Sequence, residues 1–167
     1  MIINQIAEFC IQYDETSSLM RVAWMAERNM ERFQQAFTQL HVLVKQLCVK
    51  RIVLDLNRMP DIPVYDQLWL STRFMPALFT VPLEQVVIVL SAQRVYNQQV
   101  VEGVLMAVDA QLPFEAHFFT HPAAALAWLT DESPRLPGLW AEWVDYFGDF
   151  FSYSDEVAEP LAGYEPQ

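Results

Sequence analysis

The chain has 167 residues, 53% of them apolar and 13% aromatic, and it carries 21 Asp and Glu against 10 Lys and Arg for a net charge of -11. Length and apolar content fit one domain with a sizeable core and exclude wholesale disorder. The charge excludes binding to nucleic-acid phosphates, which needs clustered Lys and Arg.

The elements follow in chain order. "IAEFCIQYD" and "SSLMRVAWMAE" read as two strands joined by the polar turn "DETSS", an antiparallel hairpin. In "NMERFQQAFTQLHVLVKQLC" the residues Met30, Phe33, Phe37, Leu40, Val44 and Leu47 recur at spacings of three and four. That is one face of a helix, with Asn29 as its expected N-cap. "RIVLDL" is a short apolar strand of the kind covered on both faces. "YDQLWLSTRFMPALF" is helical in pattern, with Asp66 as the expected cap and Pro76 expected to kink or end it. "QVVIVLS" is a second buried strand. In the helix "NQQVVEGVLMAVDAQ", Val100, Val101, Val104, Leu105 and Val108 share a face. "EAHFFT" is the last strand, and "HPAAALAWL" a short helix with Pro122 in its first turn. The order β-β-α-β-α-β-α-β-α predicts an α/β fold. It implies a single mixed, mostly parallel sheet of about five strands with helices packed on it.

Residues 131–167 differ in composition. From Asp131 onward nine acidic residues face one basic residue, Arg135, so this stretch holds about -8 of the net charge. "TDESPRLPG" reads as a linker. "LWAEWVDYFGDFF" then predicts a helix over about 139–148. Its apolar face is Leu139, Trp140, Trp143 and Phe147, continued by Phe150 and Phe151, with Glu142, Asp145 and Asp149 off that face. Aromatics of this size do not stay in water. Their face is therefore a candidate interaction surface, for the chain's own sheet, a second copy or another protein. Its acidic opposite side disfavours adsorption to membranes.

The hairpin with Trp24 near its end, "IVLDL", the "DQLW" helix start, "QVVIVLS" and the closing "FFTHPAAALAWL" together resemble the STAS/SpoIIAA-like domain family, which is related to SEC14-like domains. The resemblance spans about residues 1–130. It implies a small α/β domain without catalytic machinery that works through protein contact. It also implies a phosphorylatable Ser after the strand corresponding to "IVLDL", yet here no Ser or Thr stands between Asn57 and Leu70. The function expected is thus a non-catalytic protein-interaction or regulatory module lacking that Ser. The alternative is a carrier of a small apolar or lipid-like ligand of SEC14-like type.

Ligands of open α/β sheets favour the carboxyl ends of parallel strands. Asp55, Asn57, Arg58, Asp61, Asp66 and Trp69 lie around one such end, and Ser91, Gln93 and Arg94 follow the neighbouring strand. They form a candidate crevice, set against the plainer reading of caps and local ion pairs. Chemistry of other kinds has little footing. His41, His117 and His121 are scattered without metal-ligand spacing, and the four glycines form no nucleotide loop. Neither a catalytic residue nor a metal or cofactor is expected. The two cysteines, Cys10 and Cys48, form no CxxC pair. The start "MIINQIAEFC" lacks a signal peptide's basic region, and no apolar run reaches the roughly 20 residues of a membrane span. The expectation is a cytoplasmic protein with reduced thiols, partnered by an unknown protein or by itself.

Overall fold

The computed structural model describes residues 1–148. Six strands form one sheet in the order of the sequence: β1 (Ile2–Ile3), β2 (Phe9–Asp14), β3 (Leu19–Trp24), β4 (Arg51–Asp55), β5 (Gln85–Val89) and β6 (Glu115–Phe119). β1, β2 and β3 pair antiparallel, and β3 to β6 pair parallel. The α/β class and mixed sheet agree with the sequence reading, but there is one strand more than expected. The extra strand has two residues, paired Ile2 to Gln12 and Ile3 to Ile11. So short a segment has no readable periodicity.

Helix α1 (Phe33–Leu47) follows β3. α2 (Val64–Trp69), a π-turn (Leu70–Phe74), α3 (Met75–Ala77) and a 3-10 turn (Leu78–Thr80) run on from one another after β4. α4 (Val95–Ala107) precedes β6, and α5 (Pro122–Thr130) and α6 (Leu136–Phe147) close the described chain. The strand order never reverses. Each right-handed crossover therefore deposits its helix on the same face. That face is the larger core. Phe9, Ile11, Met20, Val22, Trp24, Ile52 and Ile88 of the strands pack with Phe33, Phe37 and Leu40 of α1 and Met75 and Val104 beyond. The alternate strand residues point to the opposite face. Only chain that follows the last strand is left to cover them. α5 packs over Leu19, Val53, Val87 and Val89, and α6 sets Trp143 against Cys10 and Ala23.

Several local expectations are corrected. α1 begins at Phe33 with Arg32 in the cap position. Asn29 instead accepts the Glu31 amide at 3.1 Å, an i to i+2 turn that competes with a helical cap. α2 begins at Val64 after Pro63, so Asp66 sits inside the first turn and is not its cap. Pro76 does not break the segment. It lacks an amide hydrogen, and the preceding turn widens so that the Met75 amide donates to Leu70, five residues back. The expected linker is a tight reversal: Asp131 and Glu132 both take positive φ (55° and 52°), and α6 starts at Leu136 with Pro137 in its first turn.

Candidate functional site

The segment Arg51 to Leu70 carries the strongest sequence signal for a site, and its backbone is pinned from several sides. Asp55 is 5% exposed, and its Oδ1 accepts the Asn57 amide at 3.0 Å. Burial pushes the Asp55 carboxyl above its ordinary range, against the opposing pull of the Asn57 bonds and of the Arg21 and Arg58 charges. Asn57 Oδ1 in turn accepts the Ser91 amide at 2.6 Å, tying the loop after β4 to the loop after β5. Asn97 of α4, fully buried, clamps the proline bend. Its Nδ2 donates to the Pro60 carbonyl at 2.9 Å, and its Oδ1 accepts the Ile62 amide at 3.0 Å. Arg94 donates to the Met59 carbonyl. The bend is therefore a strand-to-helix connection held to the next crossover by side chains that satisfy its backbone.

An open cleft of about 570 Å³ lies over this bend, lined by Glu27, Arg28, Asn57, Arg58, Met59, Pro60, Asp61 and Arg94. Arg58 pairs with Glu27 at 2.8 Å. Of the residues assigned to the crevice from sequence, the structure brings Asn57, Arg58, Asp61 and Arg94 to the cleft, with Ser91 bonded to its edge. Asp55 lies buried, and neither it nor Gln93 is among the lining residues. Asp66 and Trp69 belong elsewhere: Asp66 accepts Gln34 Nε2 of α1 at 2.9 Å, and Trp69 stacks on Phe74 with a ring separation of 5.7 Å. Both line a separate groove between α1 and α2. The cleft stays open because the strand order has no reversal. Crevices deepen at a switch point, where neighbouring crossovers diverge to opposite faces.

Glu27, Arg28 and Asn97 were missed. The signal for the first two was present. The second strand of the hairpin runs parallel to the next strand, so the residues after Trp24 emerge at the same sheet edge as Asn57 and Arg58. Asn97 is a polar residue on a valine-rich helix, and its burial follows only from the clamp.

Beside the cleft, apolar side chains stand in solvent. Val64 is 74% exposed, Tyr65 75% and Leu68 62%, one face of α2. Val95 and Tyr96 at the start of α4 are exposed too. Tyr96 is joined to α2 through its hydroxyl, 2.9 Å from Gln67 Nε2. The helical pattern of "YDQLWLSTRFMPALF" does not by itself tell which of its apolar residues stay exposed.

The candidate face of the C-terminal helix is used within the chain. Trp143 is 2% exposed, and Leu139, Trp140 and Phe147 are half-buried against the sheet. Arg21 of β3, itself buried, lies under the Trp143 ring at 3.8 Å and under Trp140 at 4.9 Å. Arg135 grips Asp14 through two nitrogens, one of them Nε at 3.0 Å. Gln12 donates to Glu142 at 2.6 Å, and the Met1 ammonium lies 3.0 Å from the same oxygen. Those contacts hold both carboxyls below their ordinary range, Asp14 chiefly through Arg135 and Glu142 chiefly through Gln12. Phe150 and Phe151 lie outside the described residues.

Cys10 is buried, and burial pushes its thiol up to about 12, out of reach of thiolate chemistry near neutral pH. Among the described residues no group of three or more His, Cys, Asp or Glu is placed to hold a metal, and no helix is long and apolar enough to cross a membrane. The apolar cavity between the sheet and α1 to α4 measures about 90 Å³ and is lined by side chains such as Phe33, Phe37, Met59 and Phe114.

No family model and no curated protein matches the chain. Among solved structures it is similar to a chain in the crystal structure of the diguanylate cyclase SiaD in complex with its activator SiaC from Pseudomonas aeruginosa. The TM-score is 0.41 at 13% identity, over 71% of this chain and 99% of that one. A likeness of that size transfers no function.

Proposed function

We propose that this protein is a non-catalytic protein-interaction or regulatory module, and that its contact surface is the exposed apolar patch of α2 and α4 beside the strand-end cleft. The carrying observation is the exposure of Val64, Tyr65 and Leu68 on one short helix, which the Gln67 side chain ties to the Ile62 carbonyl and the Tyr96 hydroxyl. A contiguous apolar patch on a rigid element marks a contact surface, whereas single exposed apolar residues do not. The resemblance of residues 1–130 to STAS/SpoIIAA-like domains agrees with this reading. The absence of Ser and Thr between Asn57 and Leu70 makes it a module without a Ser or Thr hydroxyl to phosphorylate at the start of α2.

The small-ligand carrier is the weaker reading. Ligand pockets run to about 300–1,000 Å³, and the apolar cavity is about 90 Å³.

Affinity capture from the source cell with the tagged full chain tests the proposal. Wild type and Val42→Ser, which alters an exposed apolar residue outside the patch, are expected to retain one partner in stoichiometric amount. Leu68→Glu is expected to lose it while keeping the wild-type melting temperature. A partner held equally by Leu68→Glu and by a Tyr65→Ser variant would overturn the assignment of the surface.

A further inference from the structure

The chain has ten cationic side chains in all, and three of them, Arg28, Arg58 and Arg94, line the one cleft at the carboxyl ends of β4 and β5. Its carboxylates are Glu27 and Asp61. The cleft thus carries an excess of positive charge in a molecule whose net charge is -11. A second feature adds to it. Arg94 stands at the N-cap of α4, a helix of 13 residues with no acidic residue in its first turn and, among the described residues, no side-chain cap. The amides of that first turn add partial positive charge at the same end. The walls are also fixed before any ligand arrives: Arg94 is bonded to the Met59 carbonyl, Arg58 to Glu27, and Asn57 to the Ser91 amide. The Nε–H of Arg94 is shielded from solvent and has no acceptor among the described residues.

We propose that this cleft binds an anionic side chain, a carboxylate or a phosphate, on an acidic segment of the protein partner. The inference rests on the interaction reading above and names the chemistry of the partner. Guanidiniums held by their surroundings give up little conformational entropy on engaging an anion. The cleft is open, and the exposed Val95 and Tyr96 of the apolar patch follow Arg94 directly in the chain, which suits an extended segment with apolar residues beside its acidic ones. Nucleic acid is a poor occupant, because the rest of the surface repels a polyanion.

The test is an amide-resolved NMR titration of the full chain at low salt. The probes are a short peptide of alternating Glu and Leu, its phosphoserine-for-Glu version, its Gln-for-Glu counterpart and inorganic phosphate. The Glu and phosphoserine peptides are expected to shift amides of Glu27, Arg28, Asn57 to Met59, Asp61 and Arg94 to Asn97, with affinity falling as salt is raised. The stronger of the two shows which anion the site prefers, and inorganic phosphate should move a subset of the same signals. Arg28→Glu is expected to weaken binding about tenfold, the loss of roughly one charge-assisted contact. Arg28 is exposed, so this variant keeps the fold. Equal binding of the Gln peptide, shifts confined to other parts of the molecule, or unchanged affinity in both Arg28→Glu and Arg58→Gln would overturn the proposal. If the captured partner is lost with Leu68→Glu but kept with Arg28→Glu and Arg58→Gln, this inference falls while the interaction surface stands. If none of the three variants loses it, both fall.

Discussion

The two faces of the sheet are built from alternate residues of the same strands, yet they are held in different ways. Under α1 to α4 the contact is dry. Phe9, Trp24, Phe33 and Phe37 meet at ring separations of 4.7–6.1 Å, with Ile and Val of the strands beneath them. On the other face α5 lies on the apolar Leu19, Val53, Val87 and Val89, but under α6 and the turn before it the strands present Cys10, Gln12, Asp14, Arg21 and Ala23. Trp143, Arg135 and Glu142 meet three of these polar groups one by one. The difference follows from chain order. Crossover helices are fixed by the strands on either side of them and need only apolar shape. α6 lies between no two strands of the described residues, and polar pairing with a fixed geometry defines its seat.

The sharpest way to break the comparison is to remove the largest side chain of the dry face. Trp24→Ala is expected to cost about 3–5 kcal/mol in urea unfolding, the range for emptying a buried aromatic site. Trp24 is fully buried, and its ring meets both Phe9 and Phe33. A loss under 2 kcal/mol would mean that the dry face is not the main core.

On the other face Trp143→Ala should cost less, about 2–4 kcal/mol, in apolar burial and the contact over Arg21. Its mark should be local. Hydrogen exchange is expected to quicken in α6 and at the Gln12 amide while α1 and β4 stay protected. Uniform loss of protection across the sheet would show that the two faces are one cooperative unit.

Asp14→Ala should cost about 1–2 kcal/mol at neutral pH, because the Ser17 amide and hydroxyl lose their acceptor. It should also change the acid limb. The Asp14 and Glu142 carboxyls lie below their ordinary values in the fold. Their stabilisation is complete above about pH 4–5 and lost as pH falls through the depressed values. The variant should therefore lose less stability than wild type between pH 5 and pH 2, by roughly the Asp14 share. Parallel curves would remove Asp14 from the seat of α6.

The smallest effect is expected for Asp55→Asn, at a residue where the sign reverses. Its carboxyl is raised by burial, so the ionised form is disfavoured in the fold. Its contribution is most favourable at low pH and is lost as pH rises from the ordinary carboxylate value through the raised one. Asp55→Asn, which keeps an acceptor for the Asn57 amide, should stay within about 1 kcal/mol of wild type at neutral pH, while Asp55→Ala should cost about 1–3 kcal/mol. A large loss in the Asn variant would mean that the charge itself is needed there.

The sequence by itself determined the α/β class, the hairpin, the parallel run after it and the approximate place of each helix. Alternation, three-and-four spacing and turn residues are local properties, and they survive without knowledge of partners. It also placed Asn57, Arg58 and Arg94 near one strand end, because strand direction follows from the crossovers. Only the tertiary structure decided the rest. The two-residue β1 exists because β2 offers it an edge, and Pro76 is tolerated because the turn before it widens. Asp66 and Trp69 leave the cleft because α2 leans on α1. The aromatic face of α6 lies on its own sheet because every crossover had gone to the other side, leaving Cys10, Ala23 and Arg21 to be covered. Apart from the local turn before Pro76, the deciding contact joins residues well separated in the chain, and pairings over such separations leave no periodic trace in the sequence.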